Sequence, residues 1–114
     1  MHQGSCHCGR IAFEVAGEFS DVKECNCSHC SRKGYLLWFV PREQLHLKCA
    51  DDSYGTYRFN KHAIAHHFCP ICGCAPFATG KGASGAATAA INVRCLEGVD
   101  LAAVKRVQVD GRHR

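Results

Sequence analysis

No stretch of the 114-residue chain approaches the ~18 apolar residues of a membrane-spanning helix, so none is expected. The first ten residues, Met1-His2-Gln3-Gly4-Ser5-Cys6-His7-Cys8-Gly9-Arg10, lack the apolar core of a secretory signal. A reducing, cytoplasmic setting is therefore expected, and no membrane partner. Charge of one sign is scarce: 14 Lys+Arg against 10 Asp+Glu leave only +4. That surplus suits a small anionic molecule. The basic stripe with interleaved aromatics that binds single-stranded nucleic acid is missing, so no nucleic-acid partner is expected. Linkers and repeats are absent too, and 46% hydrophobic residues exclude a disordered class. This length predicts a single domain over residues 1–114.

Cysteine is the over-represented residue, at ten. In a reducing compartment, clustered thiols point to metal rather than to disulfides. The rest reads as short strands. Ile11 to Val15, Leu45 to Cys49 and Thr56 to Phe59 alternate, while Leu36 to Val40 is a continuous apolar run ending at Pro41. Further strands are predicted over Ala65 to Phe68, Pro76 to Thr79 and Ala87 to Val93, with a flexible loop over Gly80 to Gly85. Helix is expected only as an Asp100-capped turn through Val104 and a turn over Ser28 to Lys33. The class is mostly β. A small β domain has a limited core, and a structural metal would stabilise it.

Three thiol clusters occur: Cys6-x-Cys8, Cys25-x-Cys27-x-x-Cys30 and Cys69-x-x-Cys72-x-Cys74. Cys69 and Cys72 fit a knuckle turn with Gly73 in a left-handed conformation, supplying two ligands. Tetrahedral zinc takes four, and Cys6 and Cys8 can supply the others. A closed four-thiolate site is structural. Cys25, Cys27 and Cys30 can face one metal from a single loop, and three ligands with a vacant fourth position describe a catalytic zinc. Two alternatives stay open: His29, Cys74 or Cys49 closes that site, or the three thiols bind nothing.

The series Gly4-Ser5-Cys6-His7-Cys8-Gly9, Cys25-Asn26-Cys27-Ser28-His29-Cys30 with Gly34, and Phe68-Cys69-Pro70-Ile71-Cys72-Gly73 resembles the glutathione-dependent formaldehyde-activating enzyme family, or CENP-V/GFA domain. Tyr57-Arg58-Phe59-Asn60, Ile91-Asn92-Val93-Arg94-Cys95-Leu96 and Asp100 extend the resemblance over nearly the whole chain. It implies the Mss4-like fold, coiled short antiparallel sheets pinned by zinc. It also implies a structural zinc at Cys6, Cys8, Cys69 and Cys72, and a catalytic zinc at Cys25, Cys27 and Cys30. The implied activity is that of a carbon–sulfur lyase acting on glutathione or a related thiol, of the S-hydroxymethylglutathione type. The alternatives are a non-catalytic zinc-stabilised binding module and a metal or redox buffer.

Cys49 and Cys95 match no ligand and are expected as small buried hydrophobes, with Cys74 undecided. His29 is a candidate for proton transfer at a bound thiol, or is simply exposed. Arg32 and Lys33 either meet a carboxylate of an acidic thiol or form a solvated basic turn. Of His66 and His67, which alternate faces, at most one points inward. Trp38 and Phe39 are expected in the core.

Overall fold

The computed structural model describes residues 1–19, 21–82 and 84–113. The first strands are β1 (His2–Ser5), β2 (Ala12–Val15) and β3 (Asp21–Cys25), followed by the short helix α1 (Ser28–Lys33). The next strands are β4 (Leu37–Pro41), β5 (Leu45–Leu47), β6 (Gly55–Tyr57) and β7 (Ala65–Phe68). The chain then forms β8 (Phe77–Lys81), β9 (Ala87–Asn92) and β10 (Lys105–Val109).

Alternation dictates which faces are buried. In β2, Phe13 and Val15 are buried while Ala12 and Glu14 are only half-buried. β2 lies centrally in a three-stranded antiparallel sheet of order β1-β2-β5. The remaining strands form a seven-stranded sheet of order β10-β3-β4-β9-β8-β7-β6. All its pairings are antiparallel except β10 with β3, which run parallel. The expected mostly β fold of short, largely antiparallel sheets is what forms, with this one parallel pairing added. One core joins both sheets: Phe13, Val15 and Leu45 from the smaller, with Ile11 just before β2, meet Val22, Trp38, Val40, Phe77 and Ile91 from the larger. Phe13 and Phe77 meet across it at 6.2 Å between ring centroids. At Gly4 in β1 any Cβ would run into the Phe13 ring, so only glycine allows this closeness.

Three strands lie outside the sequence expectation: β1, β3 and β10. Their sequences HQGS, DVKEC and KRVQV bury few side chains, so backbone pairing rather than an apolar pattern holds them. Phe39 is a second correction. It is 53% exposed because β4 turns Trp38 and Val40 inward and Phe39 outward. The segment over Ser28 to Lys33 is a full six-residue helix, ended by Gly34 in the left-handed region (φ 69°). The segment after Asp100 stays a turn, its Oδ1 accepting the Ala102 N–H at 3.1 Å. The predicted loop begins only at Gly82, since β8 runs through Lys81; Ala83 lies outside the described residues.

Candidate metal centres and the adjoining cavity

Cys6 and Cys8 follow β1, in a turn where Gly9 takes φ 85°. Cys69 and Cys72 follow β7 in a turn closed by the Gly73 N–H on the Cys69 carbonyl at 2.9 Å, with Gly73 at φ 83°. The four Sγ atoms lie within 4.8 Å of one another. Cys6 and Cys8 are 3.7 Å apart at sulfur, and Cys8 and Cys69 3.5 Å. Tetrahedral zinc with Zn–S bonds of about 2.3 Å has sulfur–sulfur edges of about 3.8 Å, so this set fits such an ion. Backbone amides point at the sulfurs: Ile11 donates to Cys6 at 3.3 Å, and Ile71 and Cys72 donate to Cys69 at 3.4 Å each. These donors favour thiolates. The Cys74 and Cys8 backbones lower the Cys72 thiol to about 5. The set joins the β1–β2 turn of one sheet to the β7–β8 connection of the other.

Cys25 ends β3, Cys27 caps α1 and Cys30 lies within that helix; their three Sγ atoms also lie within 4.8 Å of one another. The Cys27 sulfur accepts the Cys30 N–H at 3.2 Å, and the Cys25 sulfur accepts the Cys27 N–H at 3.5 Å. Burial pushes the Cys27 thiol up, but amides from Cys30 and His29 and the neighbouring thiols bring it below the usual cysteine value. Cys30 is pushed strongly up, first by burial and then by Cys27 and Cys25. Among the described residues no fourth Cys, His, Asp or Glu joins this group, so His29, Cys49 and Cys74 do not close it. Soft, thiolate-only donor sets of this kind suit zinc.

The end of the chain braces the second set. Asn26 Nδ2 donates to Asp110 Oδ1 at 3.1 Å, and the Arg112 N–H donates to Asn26 Oδ1 at 2.9 Å. Gly111 lies so close that a Cβ there would collide with Cys25 Sγ. Gly111→Ala is therefore expected to weaken metal binding at this set by about tenfold or more, with little change in melting temperature. Competition titration against a chromophoric chelator reads that affinity; an unchanged value would show that Gly111 does not set the position of Cys25.

Beside the second set lies a cavity of about 270 Å³ lined by residues that include His29 and Lys33 of α1, Tyr35, and Tyr57, His66 and Phe68 of β6 and β7. Tyr35 packs against Cys30 in a small apolar cluster that Cys25, Cys27 and Phe68 also flank. Burial first, then Cys30, raises the Tyr35 phenol to about 12, so it is protonated at neutral pH. His29 is half-buried rather than simply exposed, and desolvation ahead of Lys33 lowers its pKa. Desolvation, then His29, lowers His66 to about 4. Its neighbour His67 points to the other face, bonding Thr56 Oγ1 and Thr79 Oγ1 at 2.9 Å each, and is lowered to about 4, mainly by burial. Each of the two histidines is thus at least half-buried, one on each face.

Cys49 and Cys74 are partly buried against the main core, as small hydrophobes. Burial raises the Cys95 thiol to about 12. Arg32 Nη1 donates to its own helix at the Ser28 carbonyl, 2.8 Å away, whereas Lys33 Nζ stands 6.0 Å from the Phe68 ring centroid on the cavity wall. Sequence reasoning missed three positioning groups. Tyr35 carries no motif signal. Asn92 and Arg94 were part of the resemblance but had no role assigned. Asn92 Nδ2 donates to the Ala75 carbonyl at 3.2 Å, and Arg94 Nε donates to the Gly34 carbonyl at 2.9 Å, tying β9 to the end of α1.

Two sheets sharing one core, with thiol sets at their turns, define a small cysteine-rich β protein able to hold metal. Within that class, residues 1–107 match the family model of the glutathione-dependent formaldehyde-activating enzyme, and the chain belongs to that family. A crystal structure of a Rhodobacter sphaeroides protein is similar, with 28% identity and a TM-score of 0.79 over 92% of this chain and 99% of that one.

Proposed function

We propose that this protein is a zinc-dependent enzyme of the carbon–sulfur lyase kind, acting on glutathione or a related thiol. Cys6, Cys8, Cys69 and Cys72 would hold a structural zinc, and Cys25, Cys27 and Cys30 a second, catalytic one. The observation that carries this reading is the second set: three converging thiols that no fourth donor joins among the described residues. When bound there, zinc supplies a Lewis-acidic position that favours a thiolate over a thiol near neutral pH.

The chain's own residues supply the rest. Amides of Cys27 and Cys30 hold the ligand sulfurs in place, so little reorganisation accompanies binding. The Lys33 ammonium, on the cavity wall over Phe68, can meet a carboxylate of the thiol peptide, whereas Arg32 bonds its own helix. In the addition, the thiol sulfur forms a bond to the carbonyl carbon and the C=O π pair moves onto oxygen. That oxygen takes a proton while the thiol's proton leaves to solvent. With formaldehyde the product is an S-hydroxymethyl adduct, and the lyase direction reverses each step. Nothing is oxidised or reduced.

Calorimetry of glutathione binding to the zinc-loaded protein, in two buffers of different ionisation enthalpy, tests this. Binding is expected to release a proton, because a thiol enters and a thiolate is held. Cys27→Ala should abolish the signal while the fold persists on the first thiol set. No binding at millimolar glutathione with both sets loaded would overturn the reading and favour a zinc-stabilised binding module instead.

A further inference from the structure

Among the described residues, three buried side-chain nitrogen or oxygen atoms have no hydrogen-bond partner: His29 Nδ1, Tyr35 OH and His66 Nδ1. All three residues line the 270 Å³ cavity. Buried polar atoms are nearly always paired, because each orphan costs its desolvation. Three of them on residues around one cavity mark a place where a small side-chain movement on ligand entry lets a polar group of that ligand pair with them. Tyr35 makes the case most firmly, since the residue is only 4% exposed and no described residue accepts its proton.

The walls specify the rest of the ligand. His29 and His66 on the wall pack at 4.4 Å between centroids, and Phe59, which is not itself a wall residue, stacks on His66 at 5.3 Å and on Tyr57 at 5.7 Å. Ring faces of this kind take flat, apolar groups. The Lys33 ammonium on the wall disfavours a cation. Size matters as well: a water occupies roughly 30 Å³ of liquid, and formaldehyde, with two heavy atoms, is scarcely larger. An open cavity of 270 Å³ has room for a group several times larger than formaldehyde.

From this we infer that the cavity binds the carbonyl partner of the thiol, and that this partner is a planar aldehyde or ketone bearing an aromatic or similarly flat apolar group. The inference rests on the thiol reading above for its chemistry, but not for the binding itself. Tyr35 and Phe68 belong both to the cavity wall and to the packing around Cys25, Cys27 and Cys30, so a carbonyl held there lies next to the thiol set. The unpartnered Tyr35 hydroxyl donates to the carbonyl oxygen, and the flat substituent lies against Tyr57, His66 and Phe68. As sulfur bonds to the carbon, the π pair moves onto that oxygen. The Tyr35 proton neutralises it, and the phenol regains a proton from solvent, which has received the thiol's own.

The test uses the zinc-loaded full chain and benzamide, a planar carbonyl compound to which thiols do not add. Amide shifts in a nuclear magnetic resonance titration should concentrate in residues 28–35 and 55–68. Tyr57→Ala, at a residue 50% exposed and so harmless to folding, should weaken benzamide about tenfold. Tyr35→Phe keeps the ring and should weaken it about threefold to tenfold by removing the one donor. In turnover with glutathione, benzaldehyde should exceed acetaldehyde in kcat/KM by about tenfold or more. Absence of shifts in these residues, or benzamide binding unchanged in both variants, would overturn the inference even where glutathione binds. Benzamide binding with no glutathione binding would sustain the cavity assignment and remove the thiol reading alone.

Discussion

Cys69→Ser is expected to lose one zinc and to melt on the order of 20 °C lower, or not to fold at all. Cys69 is wholly buried, and its sulfur accepts two amide hydrogens while standing 3.5 Å from Cys8 Sγ. A serine hydroxyl is a harder, poorer zinc ligand with a shorter reach, so the other three thiols would hold the ion weakly. The loss is large because this set ties the β1–β2 turn to the β7–β8 connection, and a core of this size has little stability to spare. Cys49→Ser, at a thiol outside both sets, is the control and should shift the melting temperature only slightly. Metal analysis with thermal unfolding reads both quantities. Full zinc content and an unchanged melting temperature in Cys69→Ser would remove the structural assignment.

The second large effect is a difference between the two thiol sets on chelation. A mild chelator is expected to take the metal of Cys25, Cys27 and Cys30 at least about tenfold faster than that of the first set, with the fold intact. Three ligands hold zinc less firmly than four, and an open position lets a chelator attack. The surroundings point the same way. The first set bridges two sheets, whereas the second sits on the end of β3 and the helix of six residues that follows it. Thiol release followed by a chromophoric reagent, alongside circular dichroism, separates the steps. Loss of both metals together with unfolding would make the second set structural and leave the enzymatic reading without its main support.

How far the site is legible in the sequence depends on how local the information is. A knuckle is local: Cys69-x-x-Cys72-Gly73 carries its own turn, since Gly73 at φ 83° satisfies a backbone demand that a side chain would resist. The loop from Cys25 to Cys30 is local as well, and all three thiols meet as their spacing predicts. The cavity is not. His29, Tyr35, Tyr57 and His66 come together only because β4 and β9 carry the end of α1 alongside β8, β7 and β6. No spacing rule announces that assembly. The parallel pairing of β10 with β3 is equally invisible, because KRVQV reads as an ordinary exposed segment until β3 offers it a free edge.

By itself, then, the sequence determined the mostly β class, the two kinds of thiol group and the strands with an alternating apolar pattern, such as β2 and β5. Periodicity and chelate spacing are written in neighbouring residues, and the physics that reads them acts over a few ångströms. Only the tertiary structure decided that nothing among the described residues closes the second set, that Phe39 faces outward, and that Gly111 braces Cys25. It alone brought three residues that carry unpartnered polar atoms to one cavity. Those outcomes depend on which surfaces meet when distant strands pair, and the burial that fixes them exists only once the sheets are formed.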